Sequence, residues 1–426
     1  MIDIKLIREN PELVKDAARK KRMNVDIDAL LTLDAQRRAL ETEFNELRSK
    51  QNKAGEQIAK APKEEKAALS AEMGQLKSRL KEIDEQRVGL DEQVRQMMLL
   101  VPQIPDPAVP IGNSDADNVE VRRVGAPKRA EDFGFPFKDH VDLCVALDIA
   151  DFDRGVKLAG SRNYVLKGAG AMLHEAILRL AWDLMIQRKF IPMTVPVLVL
   201  DKLMEGTGYF PLGRDQAYLC ERDGQSLVGT AEVPVTGFHG DEILAEAELP
   251  KLYVARSTCF RREAGAAGKD TRGLYRIHFF DKLEQVVICK SDAAESAKWH
   301  DAIIKNATDT LEALELPYRV LEVCTADMGQ GKVRMYDIET WMPSRNGFGE
   351  THSASRFHDF QSRRLNLRYR DEAGKVHFCH TLNNTVVASP RIMIPVLEMN
   401  QNADGSVTVP KALRQYMGGM ERIERR

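Results

Sequence analysis

Leu30, Leu33, Leu40, Phe44, Leu47, Ala54 and Ile58 fall on the a and d positions of one helical heptad pattern, among charged neighbours. The pattern breaks at Ala61-Pro62-Lys63. It resumes as Leu69, Met73, Leu76, Leu80, Ile83, Arg87, Leu90, Val94 and Met97, in alternating steps of four and three. A seam repeating every 3.5 residues suits two helices packed side by side. The pattern therefore predicts an antiparallel α-helical coiled-coil hairpin over about residues 28–99, closed near Pro62. Shafts of about 32 residues, rising about 1.5 Å each, would project about 48 Å. Arg87 is the one polar interruption of the returning seam. Ahead of the hairpin, residues 1–24 set Ile7, Leu13 and Val14 among charges and read as a short amphipathic helix. On pattern alone such a hairpin is a spacer or dimerisation element as readily as a binding one.

Residues 101–112, VPQIPDPAVPIG, carry four prolines. Neither a helix nor a central strand persists through such spacing, so this stretch reads as a stiff linker after an N-terminal domain of residues 1–100. From residue 113 to 426, helical periodicity alternates with β-branched and aromatic runs, which predicts an α+β body of antiparallel sheet flanked by helices. Ala171–Gln187 has helical spacing, and Phe190–Pro196 follows as an edge strand carrying proline.

Composition narrows the class without deciding it. The chain has 426 residues, 30% charged and 43% hydrophobic, with a formal net charge of −2. A nucleic-acid partner would have to be met by local basic patches rather than by bulk charge. No apolar run approaches a membrane span, and the charged start MIDIKLIREN lacks a signal-peptide core, so a cytoplasmic protein with no membrane partner is expected. Six scattered cysteines show neither zinc-ligand spacing nor a disulfide framework and read as mostly buried thiols.

The chemistry concentrates in Cys259–Glu284, CFRREAGAAGKDTRGLYRIHFFDKLE. Arg261 and Glu263 are two apart, so on an extended strand they share a face. A polar, Gly-rich loop follows, then an apolar run with Arg276, His278, Phe280 and Glu284. Arginines entering one pocket from two strands suit a polyphosphate, whose oxygens match the guanidinium fork in pairs. Gly265-Ala-Ala-Gly268-Lys269-Asp270 lacks the spacing and the hydroxyl of a P-loop.

This string resembles motif 2 of the class II aminoacyl-tRNA synthetases in the form used by the seryl-tRNA synthetases, F-R-S-E-A-G-x-x-G-R/K-D-T-R-G-L-x-R-x-H-x-F-x-K-x-E, with Arg262 in place of the usual Ser. The resemblance runs through the chain. The helix of residues 171–187 and the strand ending at Pro196 are similar to motif 1, which implies a homodimer. Gly229-Thr230-Ala231-Glu232 resembles the T-x-E segment, taken here as a strand. Glu350-Thr351-His352-Ser353 to Arg364 resembles E-x-S-S-x-S-N…D-F/W-Q-A-R-R, with His352 and Arg356 as departures. Leu382–Glu398 resembles motif 3, with Asn384, Thr385 and Val386 where the family often has Gly-Ser-Gly and with an apolar helix starting at Arg391.

The resemblance implies an ATP-dependent aminoacyl-tRNA ligase that makes seryl-adenylate and passes the seryl group to the terminal adenosine of tRNA(Ser). A selenocysteine tRNA, with its own long variable arm, is an acceptor that depends on the host. Arg261, Arg276 and Arg391 are the implied catalytic residues. Arg261, Arg262, Glu263, Phe280, Glu350, Thr351, His352, Ser353 and Arg391 are implied to bind ATP, with Phe280 and Arg391 sandwiching the adenine. Thr230, Ala231, Glu232, Arg261, Glu284, Asn383 and Thr385 are implied to bind L-serine, Glu232 matching its ammonium. Glu350 and Ser353 are implied to hold Mg²⁺ on the nucleotide. The hairpin is implied to grip the tRNA's variable arm, with Lys50, Lys53, Lys60, Lys63 and Lys66 facing phosphates. An amino acid:carrier-protein ligase is the rival enzyme, and it would lack the hairpin. An inactive tRNA-binding paralogue is the rival binder, and it would have lost the arginines or the metal ligands.

Overall fold

Pro11 splits the helix expected over residues 1–24. The chain instead forms α1 (Ile4–Glu9) and α2 (Pro11–Lys20), because a proline has no N–H to continue a helix but suits its first position. The computed structural model describes residues 1–62, 64–265, 268, 270 and 272–425. Lys63 and Lys269 thus lie outside the described residues. Two compact units result, Met1–Pro102 and Gln103–Arg426.

In the first unit, Asp26 caps α3 (Ile27–Lys60) by accepting the Ala29 N–H at 2.9 Å, and α4 (Lys66–Leu100) returns antiparallel to it. Every expected seam position is buried or half-buried, as a two-stranded coil allows. Arg87 interrupts the seam without a penalty in packing. Its guanidinium lies 4.5 Å from the Phe44 ring centroid on the facing helix, a cation–π contact. Arg79 reaches across to Glu43 at 2.9 Å.

At the base, Ile7, Val14, Ile27, Leu30, Val94 and Met98 form a small core. Beside it Asp34, fully buried, accepts from Arg8 at 2.6 and 2.8 Å and from Arg37 and Arg38 at 3.2 Å each. Burial alone would raise the Asp34 carboxyl, but the Arg8 hydrogen bond and the neighbouring charges hold it below its ordinary value. Its stabilisation is therefore present above about pH 4, where the unfolded carboxyl titrates, and is lost as pH falls through the depressed native value. Asp34→Ala should destabilise this unit by about 3 kcal/mol. Hydrogen exchange across residues 1–40 of the full chain should report it, and unchanged protection would show the network to be inert.

In the second unit the proline-rich stretch is held along its length rather than left free as a linker. The Gln103 and Asp106 N–H groups donate to the Gln330 and Val333 carbonyls at 3.0 and 2.8 Å, and Thr325 N–H donates to Pro110 at 2.9 Å. Val109 packs with Val323, Met328 and Met335.

Eight strands form the main sheet: β1 (Val119–Val124), β2 (Ile191–Thr194), β3 (Lys251–Phe260), β4 (Phe279–Cys289), β5 (Tyr318–Glu322), β6 (Arg334–Met342), β7 (Gly347–His358) and β8 (His380–Ser389). Their order is β1-β5-β6-β7-β8-β4-β3-β2. All neighbours are antiparallel except β2, which runs parallel to β3 at one edge. The helices α5 (Ala169–Gln187) and α6 (Ala293–Ala313) supply Leu173, Ile177, Ile303 and Leu311 to a core on one face of the sheet, with Leu283 and Val287 of β4. Alternate residues of the same strand turn the other way: Phe280, Lys282 and Glu284 line a cavity, and Val286 and Ile288 join a second core.

The register shifts once between β4 and β8. Glu284 stands opposite Thr385, but Leu283 stands opposite Val387, so Val386 is the extra residue of a β-bulge. Before the bulge Asn383 and Thr385 face the cavity, and after it Ala388 does. Val386 and Val387 both enter the helical core. All six cysteines are free, and five are buried. Among the described residues no helix is long and apolar enough to cross a membrane.

Candidate active site

The cavity has a volume of about 370 Å³ and takes its floor from β4, β7 and β8. Its two ends differ in chemistry.

At one end are Glu263, Tyr275, Phe280, Glu350 and Arg391, and Arg261 lies between these and Tyr209 of the other end. The strand expected to carry both Arg261 and Glu263 stops at Phe260. Glu263 sits in the left-handed region at φ 53°, so the shared face comes from a turn and not from a pleat. Glu263 accepts from Arg276 at 2.6 Å. Arg276 itself does not line the cavity and acts on it through that carboxylate. Arg262 is exposed and also lies off the cavity wall, with its N–H bonded to the Gln216 carbonyl.

Arg261 donates to the Gly229 carbonyl at 3.4 Å, and its guanidinium is 5.2 Å from the Phe280 ring centroid. Arg391 lies over Tyr275 at 4.4 Å, with hydrogen bonds to the Tyr275 and Glu350 carbonyls at 3.0 and 2.9 Å. Phe280 is thus flanked by Arg261, while the partner ring of Arg391 is Tyr275. The helix after Pro390 begins at Met393 rather than at Arg391, which leaves Arg391 in the turn before it.

On β7, Thr351, His352 and Ser353 also line the wall. Both His352 nitrogens are engaged within the protein: Nδ1 with the Thr351 hydroxyl at 2.8 Å, Nε2 with the Val386 carbonyl at 3.1 Å. Burial pushes its pKa down to about 3, so the ring is a neutral brace. Ser353 stands opposite Asp337 in the register, and its hydroxyl favours the charged form of that carboxyl. Burial, then the charge of Glu350, raises the Asp337 carboxyl well above its ordinary value. Its Oδ1 is buried with no hydrogen-bond partner among the described residues.

At the other end, two carboxylates are held in opposite ways. The T-x-E segment is not a strand: Glu232 opens a short helix (Glu232–Gly237), and Thr230 accepts the Glu232 N–H at 3.2 Å. Thr230 and Ala231 are fully buried behind the wall and do not line it, so they set the position of Glu232. The two Glu232 oxygens accept from Gln361 at 2.7 Å and Tyr209 at 3.0 Å, both neutral donors. Burial and the Glu232 charge push the Tyr209 phenol up, which keeps it a donor.

Glu284, by contrast, is ion-paired to Lys282, and Thr385 donates to it at 3.2 Å. Lys282 also donates to the Thr385 hydroxyl at 3.3 Å. Burial raises the Glu284 carboxyl, and the Lys282 charge and hydrogen bond oppose the rise. The buried Asn383 Nδ2, on the cavity wall, has no partner among the described residues, a donor left for a ligand.

Lys282, Tyr209, Gln361, Tyr275 and Asp337 are residues the sequence reading did not single out. Lys282 alone had a local signal, its place two residues before Glu284 on one strand face. On the hairpin, Lys50, Lys53, Lys60 and Lys66 are exposed.

An antiparallel sheet with one parallel edge strand, and a cavity in which arginines and aromatic rings face a pair of carboxylates, define a class II aminoacyl-tRNA synthetase core. Residues 218–400 match the tRNA synthetase class II core domain (G, H, P, S and T), and residues 1–105 match the seryl-tRNA synthetase N-terminal domain. The serine--tRNA ligase of Deinococcus radiodurans is 45% identical, over 99% of this chain and 98% of that protein. A seryl-tRNA synthetase from Pyrococcus horikoshii, solved with ATP, superposes with a TM-score of 0.90 at 38% identity, covering 100% of both chains. A cytoplasmic serine-tRNA ligase from Naegleria fowleri, solved with AMP, gives 0.87 at 29%, over 100% of this chain and 99% of that one. The chain belongs to the seryl-tRNA synthetase family.

Proposed function

We propose that this protein activates L-serine with ATP and transfers the seryl group to the 3′-terminal adenosine of tRNA(Ser), with a selenocysteine tRNA as a further acceptor in hosts that have one. The observation that carries the reading is the division of the cavity: an end lined by arginines and aromatic rings, which suits a nucleotide, and an end with two differently held carboxylates, which suits a hydroxy amino acid. No side chain serves as nucleophile. The serine carboxylate attacks the α-phosphorus and pyrophosphate leaves. The terminal ribose hydroxyl of the tRNA then takes the acyl group and AMP leaves.

The residues act by position and charge. Arg261, between the two ends, meets the serine carboxylate and the α-phosphate where negative charge builds. Arg391 meets the distal phosphates. Phe280 stacks on the adenine, and Glu263, braced by Arg276, accepts from its amino group. Glu232 takes the serine ammonium in a charge-assisted bond, and Glu284 with Thr385 takes the hydroxyl. Recognition by hydrogen bonds to a hydroxyl rejects alanine far more strongly than shape alone could.

The oxygen donors Glu350 and Ser353 suit Mg²⁺, and the unpartnered Asp337 Oδ1 beside Ser353 adds a further hard acceptor. When bound, the ion would screen the triphosphate charge. The exposed lysines Lys50, Lys53, Lys60 and Lys66 are the proposed phosphate contacts of the arm. A homodimer formed along the β2 edge, where Ile191 is exposed, and a cytoplasmic location complete the reading.

Total bacterial tRNA charged with labelled serine, threonine or alanine tests it. Serine alone should be incorporated. Incorporation of alanine would remove the hydroxyl assignment, and serine-dependent pyrophosphate release without charging would point to another acceptor.

A further inference from the structure

The two carboxylates of the amino-acid end raise a question that the reaction itself does not answer. Serine brings one ammonium and one neutral hydroxyl, whereas Glu232 and Glu284 together bring two negative charges. The charged or titratable groups around Glu284 are Lys282, Glu232, Arg261, Tyr209 and Cys259. Burial keeps the Tyr209 phenol and the Cys259 thiol protonated. Arg261 is assigned to the carboxylate and phosphate side of the substrate.

Among the described residues Glu232 is hydrogen-bonded by the neutral Gln361 and Tyr209 and ion-paired to no cation, so its charge is unspent. Glu284 is held by the ammonium of Lys282, 7% exposed, against a carboxylate 2% exposed. Both protein contacts of Glu284, from Lys282 and from Thr385, fall on Oε2. The pair is electrically neutral, which fits a hydroxyl and leaves no charge for a second ammonium.

We infer that Lys282 is a positioning residue that sets substrate charge: by neutralising and orienting Glu284 it makes the side-chain subsite accept a β-hydroxyl and refuse a β-ammonium, as in 2,3-diaminopropionate. Without Lys282 the amino-acid end carries two unspent carboxylates and matches a substrate with two ammonium groups. The inference rests on the reading of this cavity as a serine site.

The test is ATP–pyrophosphate exchange by the full chain with serine, alanine and 2,3-diaminopropionate. Lys282→Met should lower kcat/KM for serine by at least about tenfold, since hydrogen bonds to charged groups are worth that much or more. The same variant should raise the preference for diaminopropionate over serine by about a hundredfold, because the substrate ammonium takes the place of the lost lysine. Its KM for ATP should stay within about twofold of the wild type, the nucleotide end being untouched. Lys282→Met/Glu284→Gln should lose the gain, since the attracting charge is gone.

A folded Lys282→Met enzyme that keeps the wild-type ratio of serine to diaminopropionate overturns the inference. Should that variant not fold, the wild type alone decides. Its use of diaminopropionate relative to serine should rise with pH as the β-amine loses its proton, and a flat ratio overturns the inference. A wild-type chain that activates no serine at all would instead defeat the proposed function.

Discussion

Arg261→Ala should lower serine-dependent pyrophosphate exchange by about a thousandfold while leaving the fold intact, since removing one preorganised contact to developing charge costs about that much. Arg261 lies between the two ends of the cavity, beside Phe280 and tied by one 3.4 Å bond to the Gly229 carbonyl, so little of the surrounding structure depends on it. The loss should fall mainly on kcat, because the charge it meets is greatest in the transition state. Rapid-quench measurement of adenylate formation reads the step directly, and circular dichroism reads the fold. Near-normal exchange would take Arg261 out of the reaction. Arg262→Ala, one residue on and off the wall, should change exchange by less than about twofold, the scale of an exposed substitution away from the chemistry.

Removing the outer arm should separate the two steps. Glu43 and Arg79 meet across the hairpin, so residues 44–78 can be cut and the shafts rejoined there by a short glycine link. The base keeps Leu30, Val94, Met98 and the Asp34 network. Pyrophosphate exchange should stay within about twofold of the full chain, because the nucleotide and serine residues all belong to the second unit. Charging should fall by about two to three orders of magnitude with the loss of several phosphate contacts, and the steep salt dependence of tRNA binding should flatten. Charging with unchanged tRNA affinity would make the arm a spacer.

What could be read from the sequence was whatever is periodic. The hairpin follows from a 3.5-residue repeat, and its one flaw, Arg87, is matched by Phe44. The cavity face of β4 follows from Phe280, Lys282 and Glu284 at intervals of two. What escaped has no local period. Tyr209 and Gln361 come to Glu232 from 23 and 129 residues away. Asp34 reads as one more solvated acid on a charged helix, and only the fold brings Arg8 to it across 26 residues. The end of β3 at Phe260, which puts Arg261 and Glu263 in a turn rather than on a pleat, is not announced by the alternation of the strand.

The departures from the family pattern also find partners only in three dimensions. None of Asn384, Thr385 and Val386 has a positive φ, so the backbone here makes no demand for glycine. Asn384 donates to the Ile303 carbonyl at 2.7 Å, and the Val386 carbonyl receives His352. Arg356 pairs with Asp106, from the proline-rich stretch, at 2.6 Å. His352, Arg356 and Asn384 are each answered by a specific neighbour, which is how a chain keeps one packing while its residues change.

The bulge at Val386 decides which positions a protein engineer can vary. Along β8 the substrate is reached through Asn383, Thr385 and Ala388, whereas 384, 386 and 387 lie in the packed interior. A combinatorial library drawn by simple alternation would carry 383 and 385 on to 387, a core valine, and miss Ala388. A one-residue deletion at 386 would do more than shorten a strand. By removing the extra residue it would restore simple alternation, keeping Thr385 and Ala388 on the cavity face while taking away a core side chain and the carbonyl that receives His352.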